Sequence, residues 1–201
     1  ASILEDRHGK IWFGVVGPSD ESGPFCHVVE SATRCYGSAA GTAAFRAAQA
    51  LTEDARGDLW IGGDTVLLRW NSSSHTEFRP GGLKDNHSQV GVSGLVAMPD
   101  GSLWVGFGKA GPGLGLQRLA DRRWESVKLP GFDSSALIVT ALRRDRHGAL
   151  WIGTLDDGIY RLHNQAVEHF DSTRGLSGDY VLNFAEDRGG SFWVGSTQGW
   201  D

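Results

Sequence analysis

The stretch Asp145-Arg146-His147-Gly148-Ala149-Leu150-Trp151-Ile152-Gly153 decides the fold, because its pattern returns along the whole chain. The pattern reads Asp-x-x-Gly-x-apolar-Trp-apolar-Gly, and its tryptophan stands at Trp12, Trp60, Trp104, Trp151 and Trp193. Successive tryptophans are 42 to 48 residues apart. This period is typical of a four-stranded propeller blade and is too long for a leucine-rich repeat. The 201 residues are therefore predicted to form a repeat protein.

The aspartate and the first glycine of the phrase predict a tight turn between two strands. The aspartate stands six residues before the tryptophan in four copies, as Asp6, Asp54, Asp145 and Asp187. A glycine stands three residues before it in all five, as Gly9, Gly57, Gly101, Gly148 and Gly190. Asp at the first position and Gly at the last are typical of a type I turn. Hairpin turns are therefore predicted at 6–9, 54–57, 98–101, 145–148 and 187–190.

The third copy tests this interpretation, because it carries Met98 in place of the aspartate. That copy gains Pro99 at the second turn position, where proline favours the same turn. The substitution changes the chemistry and preserves the geometry. We therefore interpret the repeated aspartates as turn formers and not as catalytic acids.

The residues around each turn predict four strands per repeat. Runs such as Leu150-Trp151-Ile152 are apolar on both faces, which indicates a strand buried between two sheets. A core position is also predicted nine residues before each tryptophan, at Ile3, Leu51, Leu95, Leu142 and Phe184. A third strand such as 158–162 and a fourth centred on Phe170 follow. Without helical periodicity, this pattern predicts an all-β protein, a β-propeller of four-stranded antiparallel blades.

The repeats divide residues 1–201 into about four blades and a partial fifth. Their approximate bounds are 1–44, 45–91, 92–136, 137–179 and 180–201, and the last is expected to end after its second strand. Propellers usually close with about four to eight blades, so we expect a fragment of a larger propeller. Open sheet edges of this kind favour self-association. The sequence contains no recognisable signal peptide or membrane span.

The repeats resemble a known family, the two-component regulator propeller repeat. The similarity is carried by Glu186-Asp187-Arg188-Gly189-Gly190-Ser191-Phe192-Trp193-Val194-Gly195-Ser196, by the fourth copy from Asp145 through Gly158-Ile159-Tyr160-Arg161-Leu162, and by the Gly-Leu pairs 82–83 and 175–176. It extends over essentially the whole chain. Met98 and an unusual third strand in the first copy, 24–29, depart from the family pattern.

This resemblance implies a sensor. Such repeats form the periplasmic input region of membrane-anchored bacterial histidine kinases, hybrid kinase-regulators and some diguanylate cyclases. The best-known members recognise oligosaccharides and dimerise through a following immunoglobulin-like module. The resemblance therefore implies a soluble, periplasmic, non-catalytic segment of an inner-membrane receptor that binds a small molecule or an oligosaccharide, with the parent protein forming a homodimer.

Other propeller classes and other partners fit less well. Trp200-Asp201 resembles a WD pair but lies outside the repeated column, and four copies have the wrong spacing for a sialidase-type Asp box. The net charge of −5 argues against nucleic acid as a partner, because phosphate binding needs a basic stripe. A propeller hydrolase or lyase acting on glycans remains the alternative.

The two cysteines, Cys26 and Cys35, fall on the third and fourth strands of the first copy. If Glu30 and Ser31 form a two-residue turn, the cysteines lie directly opposite each other. A cross-strand disulfide is then feasible, and an extracytoplasmic compartment would preserve it. Two buried free thiols are the other possibility.

The seven histidines do not predict a metal site. His8 and His147 occupy variable turn positions, and His163 and His169 lie six residues apart with no cysteine or carboxylate at ligand spacing. No Ser-His-Asp arrangement or phosphate-binding loop is recognisable. We therefore expect no cofactor, no metal and no catalytic residue in this segment.

Function is expected where the repeats differ. The loops between second and third strands share one end of each blade with the connections to the next blade, whereas the Asp-x-x-Gly turns lie at the opposite end. Polar and aromatic residues on loops held by a rigid scaffold suit sugar or peptide recognition. Ligand-binding candidates at this end are Asp64, Lys109, Asp156, Asp157, Asp179 and Tyr180, together with the connection 84–87.

Overall fold

The structure, a computed structural model, describes residues 2–15, 23–36, 47–71, 74–83 and 91–201. It confirms the all-β propeller fold, built of small antiparallel sheets in which strands adjacent in sequence are adjacent in the sheet. The chain divides into two compact units, residues 1–103 and 104–201, which are described separately. In the described part no helix is long and apolar enough to cross a membrane.

The first unit contains two complete four-stranded sheets and the first strand of a third. The first sheet comprises Ile3–Glu5 (β1), Ile11–Gly14 (β2), Phe25–Val29 (β3) and Ala32–Tyr36 (β4). The second comprises Ala50–Glu53 (β5), Leu59–Gly62 (β6), Leu67–Asn71 (β7) and Ser74–Phe78 (β8). The short 3-10 helix Gly81–Leu83 follows, and Val92–Ala97 (β9) begins the third sheet.

The second unit contains the rest of the third sheet and two further large sheets. The third sheet continues with Leu103–Phe107 (β10), Leu116–Ala120 (β11) and Arg123–Ser126 (β12), and a small hairpin follows at Lys128–Leu129 (β13) and Phe132–Asp133 (β14). The fourth sheet comprises Val139–Arg144 (β15), Leu150–Thr154 (β16), Ile159–His163 (β17) and Ala166–Phe170 (β18). The fifth comprises Val181–Glu186 (β19), Phe192–Ser196 (β20) and Gly199–Trp200 (β21), and 3-10 helices lie at Ser134–Ala136 and Ser172–Arg174. The fifth sheet therefore has three strands, and the prediction that it ends after two is wrong.

The predicted turns close as expected in all five copies, including the one that begins at Met98. In that copy the Gly101 N–H donates to the Met98 carbonyl at 3.0 Å, and the Met98 N–H donates to the Ser102 carbonyl at 2.9 Å. Gly101 has φ +82, and the other four turn glycines have φ values between +77 and +95. A side chain is strained at such angles, which explains the first glycine column.

The second glycine column has a different cause, which is the close approach of the next sheet. A Cβ atom on Gly153 would lie 2.6 Å from Cγ1 of Val181, and one on Gly14 would overlap the backbone carbonyl of Ala48. Gly62 and Gly106 meet Val92 and Val139 in the same way. The contacting residue always stands twelve positions before its own tryptophan and is fully buried. Each such glycine is thus a socket for the following sheet. We name the face of a sheet that carries this socket and the repeat tryptophan its tryptophan face.

The core of the first unit lies on the tryptophan face of the first sheet. Trp12 is 3% exposed and packs against Phe25 at 4.8 Å and Trp70 at 5.3 Å between ring centroids. Ala48 and Ile61 from the second sheet complete this cluster. The aromatic rings of two sheets therefore interlock here.

The core of the second unit between its last two sheets is smaller. Phe184 and Val194 of the fifth sheet are buried together with Ile159 and Val181. Phe192 of the fifth sheet stacks on the half-buried Trp151 with ring centroids 4.3 Å apart.

Two residues depart from the predicted core. Ile3, on the outer side of β1, is 78% exposed, and Trp193 in the fifth sheet is 45% exposed. In both cases the residue lies on a sheet face that none of the described strands of its own unit covers. Burial of a repeat position therefore depends on whether a neighbouring sheet follows or precedes it.

The structure joins Cys26 and Cys35 in a disulfide, and no free cysteine is present. The two residues are directly paired across β3 and β4, and Val29 pairs with Ala32 around the two-residue turn. The predicted register is therefore confirmed, and the alternative of two free thiols is excluded.

Candidate ligand-binding face

The turn aspartates are occupied by structural hydrogen bonds. Asp145 Oδ2 accepts the indole N–H of Trp151 at 2.8 Å, and its Oδ1 accepts the backbone N–H groups of His147 and Ala149. Asp6, Asp54 and Asp187 bind the indoles of Trp12, Trp60 and Trp193 in the same way. The sequence analysis did not predict the hydrogen bond from the indole to the aspartate. The constant spacing of six residues between the aspartate and the tryptophan could have indicated it.

These bonds set the charge of the aspartate. Burial by itself would raise the pKa of Asp145, but the bonds from Trp151, Ala149 and His147, with Arg161 nearby, hold the pKa below its usual range. The carboxylate stays ionised, and three hydrogen bonds occupy most of its acceptor sites. A proton-transfer role for this group is therefore disfavoured.

At the opposite end of the fourth sheet, a polar and aromatic cluster surrounds Asp157. The Tyr160 hydroxyl donates to Asp157 Oδ2 at 2.5 Å. His169 Nε2 lies 2.8 Å from the Asp157 carbonyl and 3.3 Å from its Oδ1. Tyr160 and His169, paired across β17 and β18, stack with ring centroids 4.3 Å apart. We call Asp157, Tyr160 and His169 the Asp157 cluster.

The surroundings of Tyr160 keep its hydroxyl group protonated. Burial, and then the hydrogen bond to Asp157, raise the pKa of Tyr160 well above its ordinary value. The phenol therefore remains a neutral donor at physiological pH. Phe132 packs on the same ring at 5.3 Å and limits its movement.

A second carboxylate, Asp179, is brought to the same end of the sheet by the connection between β18 and β19. The Gly158 N–H donates to the Asp179 carbonyl at 3.0 Å. The Asp179 carboxylate accepts the N–H and the hydroxyl of Ser172 at 2.6 and 2.8 Å. Gly158, at φ +62, also fits closely against the start of this connection, because a Cβ there would overlap the Phe170 carbonyl and lie 3.1 Å from the Asp171 Cα. Asp157 and Asp179 therefore lie on adjoining loops, as predicted.

The remaining candidates are located as follows. Asp156 and Tyr180 are exposed next to these two loops, and Lys109 is exposed on the loop after β10. Asp64 belongs to the first unit, where its Oδ1 accepts the Thr65 N–H at 3.0 Å. The connection 84–87 lies outside the described residues. Within the second unit, the structure brings together the candidates of the fourth sheet and of the connection that follows it.

A surface cavity that the sequence analysis missed lies near the turn end of the second unit. It has a volume of about 320 Å³ and is lined by Asp145, His147, Trp151, Arg161, Glu168, Phe170, Glu186, Gly190 and Phe192. Arg161 lies over the Trp151 ring at 5.5 Å and pairs with Glu168 at 2.6 Å. The alternation of β17 separates this cavity from the Asp157 cluster, because Arg161 and Tyr160 point to opposite faces. In the sequence, the aromatic and charged residues on adjacent predicted strands were the signal that could have indicated this cavity.

Among the described residues, no three His, Cys, Asp or Glu side chains are grouped closely enough to hold a metal ion. The one His-carboxylate group of note is the Asp157 cluster, whose members bind one another. Its chemistry is that of hydrogen-bond donors and acceptors beside an aromatic surface, which suits recognition of a hydroxylated or polar ligand.

The fold and these loops define a propeller of tryptophan-bearing repeats, and comparison with solved structures agrees. The extracellular domain of a hybrid two component system from B. thetaiotaomicron matches 95% of this chain at 16% identity with a TM-score of 0.72, over 25% of its own length. Virginiamycin B lyase from Staphylococcus aureus matches 98% at 16% identity with a TM-score of 0.68, over 62% of its length. PorZ, a surface component of the type-IX secretion system of Porphyromonas gingivalis, matches the whole chain at 15% identity with a TM-score of 0.69, over 31% of its length.

These similarities establish the fold and leave the activity open, because a sensor, a lyase and a secretion component share it. The chain spans about a quarter of the length of the sensor domain. No protein-family model and no curated protein matches the sequence.

Proposed function

We propose that this chain is part of the extracytoplasmic sensor region of a bacterial signal-transduction receptor, built from two-component regulator propeller repeats, and that it binds a polar ligand without transforming it. The observation that carries the proposal is the Asp157 cluster, where Asp157 on the loop before β17 contacts the stacked ring pair formed by Tyr160 of β17 and His169 of β18. Rigid strands below such loops favour recognition, because little ordering entropy is lost on binding.

Two further observations support the extracytoplasmic assignment. The disulfide between Cys26 and Cys35 is typical of an oxidising compartment. The similarity over 95% of this chain to the extracellular domain of a two component system points to the same side of the membrane. The proposed ligand is an oligosaccharide, whose hydroxyl groups would exchange hydrogen bonds with Asp157 and Asp179 and whose ring would lie on the aromatic surface.

The test is calorimetric titration with a panel of neutral and acidic oligosaccharides. Asp157→Asn and Asp179→Asn should each weaken binding about tenfold or more, since hydrogen bonds to a charged group contribute about 1.5–3 kcal/mol. Glu125→Gln is the matched control, an exposed carboxylate on β12 of the same unit. Equal affinity of all three variants and the original chain would contradict the proposed site, and no binding to any member of the panel would contradict the ligand class.

A lyase or hydrolase acting on glycans is the second candidate, and two observations favour it. His169, Tyr160 and Asp157 are acid and base groups in mutual contact, and a lyase shares the fold. Mass spectrometry of the bound oligosaccharide after long incubation separates the two functions. Recovery of the unchanged ligand supports the sensor, whereas a product that His169→Gln abolishes supports the enzyme.

A further inference from the structure

The third-strand position that pairs with the repeat tryptophan differs between the sheets. In the second and fourth sheets it is an arginine, as Arg69 opposite Trp60 and Arg161 opposite Trp151. Each guanidinium lies over the tryptophan ring, at 5.4 and 5.5 Å from its centroid. In the first sheet the corresponding residue is His27, opposite Trp12. The first sheet therefore places a titratable ring where these two sheets hold a permanent cation.

The next residue across, on the fourth strand, differs in the sign of its charge. Arg161 is paired with Glu168 and forms an ion pair with it at 2.6 Å. In the third sheet Arg118 and Glu125 are related in the same way, at 3.4 Å. His27 is paired instead with Arg34. A protonated His27 would therefore lie opposite a cation where the third and fourth sheets provide a carboxylate, and like charges directly opposite each other are destabilising.

His27 is 6% exposed and lies inside the aromatic contact between the first and second sheets. Its ring centroid is 4.6 Å from that of Trp12 and 5.6 Å from that of Tyr36, on which it stacks. Trp70 of the second sheet packs on both of these rings at 5.3 Å. The Nδ1 atom of His27 is buried and has no hydrogen-bond partner among the described residues. A proton on this atom would be buried without an acceptor, which costs free energy.

The charges around His27 also disfavour its protonation. The titratable and charged residues on the elements packed around it are Asp6, Lys10, Glu30, Arg34 and Tyr36 of the first sheet and its turns, and Glu53, His75 and Glu77 of the second sheet. The two second-sheet glutamates are paired with arginines, and Asp6 accepts three hydrogen bonds from the indole and backbone of its own repeat. Burial, and then Lys10 and Arg34, lower the pKa of His27, which Asp6 offsets only in part.

We propose that His27 is a proton-sensitive contact between the first and second sheets. Its neutral ring fills the aromatic cluster, whereas the protonated ring separates from Trp12 and Tyr36 and loosens their packing on Trp70. The unfolded chain binds this proton at about pH 6.5, and the folded chain binds it less readily. The stability that the contact provides is therefore complete above about pH 6.5 and falls as the pH drops below that value. This property belongs to the first unit and does not depend on the proposed ligand.

Urea denaturation at about pH 7.5 and about pH 5, on either side of the ordinary histidine pKa, tests the proposal. The urea midpoint of the original chain should fall in acid. His27→Phe should lose most of this shift, because its ring still fills the cluster and binds no proton. His75→Gln, at an exposed histidine of the same unit, is the matched control and should retain the shift. A shift of unchanged size in His27→Phe, or no shift in the original chain, would overturn the proposal.

Arg34→Glu provides the sharper experiment, because it introduces the carboxylate that the third and fourth sheets have at this position. A protonated His27 would then have an ion-pair partner. The NMR titration of its ring should move to higher pH than in the original chain, and the acid shift of the urea midpoint should shrink. Arg56→Glu makes the same charge change at an exposed arginine of the same unit and should alter neither. An unchanged titration of His27 in Arg34→Glu would contradict the proposal.

Near-UV circular dichroism separates loosening of the contact from simple binding of a proton. Between about pH 7.5 and about pH 5 the original chain should lose part of its aromatic signal, because Trp12, Tyr36 and Trp70 no longer hold one arrangement. His27→Phe should keep its signal over the same range. Full retention of the signal by the original chain at a pH where His27 is protonated would overturn the proposed loosening.

Discussion

The first two sheets and the last two carry the same nine-residue phrase but bury it to different depths. In the first pair Trp12 is 3% exposed, because Trp70 on the third strand of the second sheet lies against it. In the last pair Trp151 is half-buried beside a cavity, and its main contact is Phe192. The turn, the socket glycine and the arginine-glutamate pair are the same in both. The phrase therefore determines how sheets approach, and the third strand of the next sheet determines how completely the tryptophan is covered.

The largest effect is expected at the socket glycines. Gly14→Ala should cost about 3 kcal/mol or more of unfolding free energy, because the new methyl meets the Ala48 carbonyl and backbone cannot move as a side chain can. Gly62→Ala, which meets the side chain of Val92, should cost less. Urea denaturation followed by tryptophan fluorescence measures both. Gly81→Ala is the control, since nothing lies within 4 Å of its Cβ, and equal effects at all three positions would refute the socket.

The next largest effect is expected when a tryptophan of the first core, Trp70, is compared with Trp200 of the fifth sheet. Trp70→Ala should cost about 3 kcal/mol, the range for large aromatic residues removed from a core. Trp200→Ala, at a side chain that is 61% exposed, should cost less than about 1 kcal/mol. Near-UV circular dichroism during denaturation follows the aromatic packing. Comparable losses would show that Trp200 is as well packed as Trp70.

The disulfide is a feature of the first sheet that the fifth lacks. Its sequence separation is 9, so reduction or the paired change of Cys26 and Cys35 to Ser should cost about 2–3 kcal/mol by loop-closure entropy. The measurement is thermal unfolding with and without reductant. The double serine variant should be insensitive to reductant, and a reductant effect that persists in it would have another origin.

The smallest effect is expected at the turn aspartates. Asp145→Asn should cost about 1–2 kcal/mol, since asparagine keeps one acceptor oxygen and replaces the other with an N–H group that faces one of the three donors. Met98→Asp should stabilise by about 1 kcal/mol or less, because the indole of Trp104 would gain the partner that other copies have. Equilibrium denaturation of both variants against the original chain provides the comparison, and destabilisation by Met98→Asp would show that the third copy has adapted to methionine.

The lowered pKa values of the same aspartates predict that the free energy of unfolding falls in acid. Their pKa values are lowered in the folded state, so their contribution is complete above the unfolded value of about 3.9 and is lost as the pH falls through the folded value. The original chain should therefore lose more stability below about pH 4 than Asp145→Asn does. Parallel loss in both would exclude Asp145 as a contributor.

Much of the fold could be predicted because its causes are local. An Asp-x-x-Gly turn, a strand apolar on both faces and a two-residue hairpin at Glu30 and Ser31 each depend on residues close in sequence. The five-fold recurrence allowed Met98 to be interpreted through Pro99, and the register of Cys26 and Cys35 followed from the hairpin. The Asp157 cluster was predicted only in part, since Asp157 and Asp179 were chosen as loop residues and the stacked Tyr160 and His169 were not.

The amino-acid sequence by itself determined the repeat, the turns, the strand order and the position of the disulfide, because backbone conformation and strand pairing within a hairpin are set by short-range sterics and alternation. Only the tertiary structure decided that Gly14, Gly62, Gly106 and Gly153 are sockets, that Trp12 is buried while Trp193 is exposed, and that Arg7 and Arg146 each pair with a glutamate of the next sheet. Those properties depend on the distance between one sheet and the next. Residues more than forty positions apart set that distance, and no local pattern reports it.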